Sequence, residues 1–85
     1  NYPNPFNPAT TIAYHLAADA RVLLRVHDVR GRPVADLVDG FRTAGDHEAV
    51  WRGVDRSGQP LPSGVYYCVL TASDVMGIRK MTLLK

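Results

Sequence analysis

Apolar and polar side chains alternate along most of this chain, and the alternation breaks at turn-forming residues about every 8–12 positions. Ile12, Tyr14 and Leu16 share one face of a first segment. Val22, Leu24 and Val26 share another, with Arg25 and His27 opposite. His47, Ala49 and Trp51 repeat the pattern, as do Met81 and Leu83. No window carries the roughly 3.6-residue period of an amphipathic helix. A chain of 85 residues built this way must bury its apolar faces by stacking pleated sheets. The fold class is therefore all-β, an antiparallel β-sandwich of roughly six to seven strands.

Glycine, proline and aspartate place the turns. Asp28-Val29-Arg30-Gly31-Arg32-Pro33 reads as a turn in which Gly31 is free to take a positive φ. Val34 to Val38 reads as a short strand of looser pattern, ended by Asp39-Gly40. Ala44-Gly45-Asp46 opens the next strand, and Asp55-Arg56-Ser57-Gly58 turns the chain after Trp51. Gln59 to Gly64 carries it across to Val65–Leu70, the stretch richest in β-formers. Ser73 to Gly77 reads as a further turn, and Arg79 to Leu84 as a closing strand. Residues 1–10 differ from all this. In Asn1-Tyr2-Pro3-Asn4-Pro5-Phe6-Asn7-Pro8 each proline fixes its own φ and holds its predecessor extended, so the segment is expected to be a stiff lead-in. Tyr2 and Phe6 are expected to pack on one end of a domain that spans residues 11–85.

Composition narrows the function. Ten basic and eight acidic residues are spread along the chain with the arginines standing singly, giving a net charge of +2 and no basic run that could track a phosphate backbone, so no nucleic-acid role is expected. No apolar run approaches the roughly 20 residues of a membrane helix. A single cysteine excludes an internal disulfide. The chain opens on Asn1 without an initiator methionine or signal peptide, and is read as a piece of a longer exported protein that ends at Lys85.

Catalysis needs a base beside a nucleophile, paired carboxylates or converging metal ligands. His15, His27 and His47 fall on three different strands with no second ligand at short spacing. Asp28, Asp36, Asp39, Asp46, Asp55 and Asp74 fall mostly in turns or at strand ends, where a carboxylate caps backbone N–H groups. Asp55-Arg56-Ser57-Gly58 offers too few oxygens for more than weak calcium binding. Cys68 lies on an apolar face between Tyr66 and Leu70 and is expected to be a small buried hydrophobe. No catalytic, cofactor or metal residue is assigned. Carbohydrate binding would want outward aromatics, of which Tyr67 is the one expected.

Two resemblances follow from specific residues. Tyr66 stands two residues before Cys68, the spacing of the tyrosine corner in Ig strands, although the first cysteine of that pattern is missing. A fuller match runs through Asn1 to Ile12, through Asp28-Val29-Arg30-Gly31-Arg32-Pro33-Val34, through Gly45 to Gly58 with His47, Trp51, Gly53 and Asp55, through Ser63-Gly64-Val65-Tyr66, and through Arg79 to Lys85. This series resembles the C-terminal sorting domains of type IX secretion and the related Ig-like domain of the flagellar hook-capping protein. Trp51-Arg52-Gly53 departs from the commoner W-D-G. The sorting-domain resemblance implies an Ig-like, non-catalytic signal on an exported cargo. It would pass through the periplasm, be recognised by an outer-membrane translocon, and be removed by a sortase-type protease at the cell surface. It also implies a partner-binding set made of Gly64, Tyr66, Arg79, Lys80, Met81, Thr82, Leu83, Leu84 and Lys85. The alternative it implies is an Ig-like accessory, adhesion or anchoring module without processing, the hook-cap type included. An edge strand at the end of a sandwich suits strand addition by a partner. The plainer alternative is that the same strand only completes the fold, with lysine keeping its edge soluble.

Overall fold

The strand with the strictest alternation forms the middle of the molecule. In the computed structural model, which describes residues 9–73 and 75–84, β2 (Ala20–His27) buries Val22, Leu24 and Val26 to 1% exposure or less. It pairs on one side with β3 (Pro33–Arg42) and on the other with β5 (Gly64–Ala72), and β5 pairs in turn with β6 (Val75–Leu83). The result is a four-stranded antiparallel sheet in the order β3-β2-β5-β6. β1 (Thr10–Leu16) and β4 (Gly45–Trp51) form a second, two-stranded antiparallel sheet. Ile12, Leu16 and Trp51 project from it against Val22, Leu24, Val26, Tyr66, Cys68, Met81 and Leu83, and these residues make one core. The chain is all-β, with six strands and no helix among the described residues, and fits the antiparallel sandwich expected from the alternation and the Ig-like form that the resemblance implies.

Three boundaries differ from the sequence reading. β3 runs through Asp39-Gly40 to Arg42 instead of stopping there. Its pairing with β2 shifts register between Leu24 and Arg25 and again between Val26 and His27, leaving Leu37 and Val34 without a direct opposite residue. Each shift is a bulge that adds a residue to one strand. The buried Ala35 and Val38 therefore lie three positions apart, which destroys the period-two signal. β6 begins at Val75, not Arg79, because Ala72 pairs directly with Val75 and Ser73 takes a φ of 53°. Gly77, read as part of a turn, lies inside the strand opposite Leu70. At the other end Thr10 already belongs to β1, and the stiff lead-in with Tyr2 and Phe6 lies outside the described residues.

Candidate functional site

β6 carries most of the residues expected to bind a partner, and the fold divides them sharply. Met81 and Leu83 point into the core at 7% and 3% exposure. Tyr66, opposite Met81 on β5, is equally buried, and Gly64, opposite Leu83, is half-buried. Arg79, Lys80, Thr82 and Leu84 are exposed. Lys85 lies outside the described residues. The expected set is thus split by burial: Tyr66, Met81 and Leu83 belong to the core that holds β6 in place, while Arg79, Lys80, Thr82 and Leu84 face solvent.

The motif residues of the middle segment explain how that core is held. Trp51 packs edge-on to Tyr66 with ring centroids 5.2 Å apart, and its indole N–H donates to the Val54 carbonyl at 3.0 Å. The Tyr66 hydroxyl donates to the Pro62 carbonyl at 2.7 Å, so the tyrosine-corner spacing does produce a corner hydrogen bond. Burial pushes the Tyr66 phenol above its ordinary range, and the charge of Asp28 adds to this. Gly53 takes a φ of 74°, and a Cβ there would sit 3.0 Å from Leu83 Cδ1. That position needs glycine both for its backbone and for the close approach of the last strand.

The side chains that could do chemistry are engaged in local structure. Asp55 Oδ1 accepts from the Ser57 hydroxyl at 2.8 Å and from the Ser57 and Gln59 amides at 2.9 and 3.0 Å. These bonds, that from the Ser57 hydroxyl foremost, hold its carboxyl below the usual range. Asp28 likewise accepts from the amides of Arg30 and Arg32 and from the Arg32 guanidinium, and the Arg32 amide contributes most to its lowered pKa. Asp36, inside the expected strand, and Asp39, expected at its end, both stand within β3 in ion pairs. Asp36 meets the guanidinium groups of Arg25 and Arg56 at 2.8 and 3.1 Å, and Asp39 meets Arg21 at 2.6 Å. Arg56, then Arg25, lowers the Asp36 pKa. His15 pairs with Asp46 at 2.7 Å, while His27 and His47 donate to the carbonyls of Gly31 and Thr43. No three His, Cys, Asp or Glu residues converge on a metal-sized site among the described residues. Cys68 is buried, and burial raises its thiol pKa, the setting of an unreactive cysteine. Asp74 lies outside the described residues.

What the sequence reading missed is the first half of β6. Val75, Met76 and Ile78 are 64–66% exposed, beside Gly77. β6 ends the four-stranded sheet, so one of its backbone edges has no strand partner among the described residues. On its inner face, below Gly77, a slot of about 150 Å³ opens between the two sheets, lined by Ile12, Tyr14, Cys68, Leu70 and Arg79. The Val75-Met76-Gly77-Ile78 run was the available signal, but Gly77 led to its being read as a turn. Phe41, at the end of β3, is a second missed feature: it is 63% exposed and adds an outward aromatic to Tyr67.

Residues 7–75 match the model of the FlgD Ig-like domain family. The crystal structure of FlgD from P. aeruginosa superposes with a TM-score of 0.70 at 24% identity, covering 88% of this chain. The chain spans 59% of that structure's length, and the similarity establishes a shared fold. No curated protein matches the sequence.

Proposed function

The chain belongs to the FlgD Ig-like domain family, and from that membership we propose that it is a non-catalytic accessory module of a larger exported protein, of the hook-cap type, working through its surface. The observation that carries this reading is the β6 edge, where apolar side chains stand in solvent beside a strand backbone with no partner strand among the described residues. The carboxylates engaged in turns and ion pairs support it as well, since they hold strands and turns together. The test is to delete the whole domain from the parent protein and follow that protein's catalytic or adhesive activity and its location. The module reading expects intrinsic activity to persist while surface attachment or assembly is lost. A parent that keeps both overturns it.

A second reading is favoured by the Ser63-Gly64-Val65-Tyr66 motif together with the basic, apolar last strand. In it the domain is a cleavable sorting signal read by an outer-membrane translocon and removed by a sortase-type protease. Deleting residues 79–85 would not test this cleanly, because it strips Met81 and Leu83 from the core. Reversing exposed charge with Lys80→Glu leaves the core intact. Mass spectrometry of the mature parent separates the readings: loss of the domain favours the sorting signal, and retention favours the accessory module.

A further inference from the structure

The inner face of β6 presents Val75, Gly77, Arg79, Met81 and Leu83 in turn, and the two-stranded sheet covers only the last two. Beneath the uncovered half lies the slot beside Gly77. A Cβ placed on Gly77 would meet nothing within 4 Å, so the opening amounts to a side chain missing from the wall. A second concavity of about 240 Å³, lined by Leu16, Leu70, Ala72 and Val75, continues it toward the β5–β6 turn. A strand added to the edge that has no partner among the described residues would place every second side chain on this face. One side chain opposite Gly77 would enter the slot, and its neighbour two residues away would reach the second concavity. A cavity of ~150 Å³ accepts a benzene-sized group, which suits leucine, isoleucine or phenylalanine.

Charge selects among occupants. β6 carries Arg79 and Lys80 and no acidic residue. Neither takes part in an ion pair among the described residues, and Arg79 only reaches the Ala13 carbonyl at 3.4 Å across the slot's rim. A second copy paired antiparallel about Arg79 and Lys80 would set these cations opposite one another, which is unfavourable across paired strands, and no register of a second copy supplies a β6 carboxylate to answer them. Acidic residues flanking an apolar one would answer them.

We propose that the β6 edge at Val75–Lys80 docks an extended segment of a separate polypeptide, with an apolar side chain seated in the Gly77 slot and acidic residues against Arg79 and Lys80. This rests on the reading that the domain works through its surface. The probe is a fluorescein-labelled peptide of sequence DTVLVTDE, titrated into the 85-residue chain by fluorescence anisotropy. Saturable binding is expected, weakened by about tenfold or more in Gly77→Val, which fills the slot, and in Lys80→Glu. The cationic peptide KTVLVTKK is expected not to bind. Circular dichroism melting of Gly77→Val should match or exceed the unmodified chain, and if it falls, Lys80→Glu decides alone. Absence of binding up to about 1 mM, equal binding by both variants, equal binding of the cationic peptide, or dimerisation through β6 in sedimentation would each overturn the proposal. A parent protein that needs the domain for its location yet tolerates Gly77→Val and Lys80→Glu overturns the slot alone. A parent that does not need the domain overturns the module reading itself.

Discussion

The four-stranded sheet ends in β3 on one side and β6 on the other, and the two edges meet solvent in opposite ways. β3 is bulged at two points and begins at Pro33. Its Asp36 is clamped by Arg25 and Arg56, and the Arg56 amide donates to the Val34 carbonyl at 3.0 Å, laying the 55–58 turn against the edge. Bulges, proline, charge and a covering turn are the devices that keep a strand from pairing with a stranger. β6 has none of them over Val75–Ile78. Its register with β5 is unbroken for nine residues, and its free side carries apolar groups. The difference teaches that the sheet is finished unequally: one edge is closed off, and the other, among the described residues, is left open.

The largest test of this contrast concerns what holds β6 in place. Leu83→Ala removes a buried anchor and should cost about 2–5 kcal/mol in thermal or urea unfolding. A loss much under about 1 kcal/mol would mean that backbone pairing alone fixes the strand. Gly53→Ala attacks the same anchor from the β4–β5 connection. It forces a side chain into a positive φ and against Leu83, and about 1–2 kcal/mol of destabilisation is expected. Gly77→Val should act in the other direction. It gives an exposed strand position a β-branched residue at an unstrained φ, so stability should rise by about 0.5–1 kcal/mol while docking falls.

The smallest effect expected is a pH response confined to the closed edge. Asp36 and Asp28 have lowered folded-state pKa values, so their contribution is complete above the unfolded value of 3.8 and is lost as pH falls through the lower folded values. Amide protection factors along β3 and the Asp28 turn should drop below about pH 4, while those of β6, which has no carboxylate, should follow only the global stability. Equal loosening of both edges would dissolve the comparison.

The alternation of β1, β2, β4 and β5 was legible because each of those strands has a neighbour with which it pairs in unbroken register, and buries one face. Trp51, Tyr66 and Cys68 could be read as core on the same grounds. β3 was read too short because its bulges move Ala35 and Val38 out of period, a consequence of pairing that local pattern does not carry. β6 was read too short for a different reason. Gly77 looks like a turn residue, and neither face of residues 75–80 is covered, so no burial period exists to be seen. The partner-binding set inherited from resemblance mixed supports with surface, because a shared motif marks residues that the fold needs as readily as residues that a partner touches. Gly53 is the clearest case, a motif position explained by its contact with Leu83.

The most direct test of the open edge is an amide chemical-shift map of the isotopically labelled chain titrated with the DTVLVTDE peptide. The account predicts perturbations concentrated at Val75–Lys80 and at the slot residues Ile12, Cys68 and Leu70, with β3 unmoved. Perturbations centred on β3, or none at saturating peptide, would contradict it.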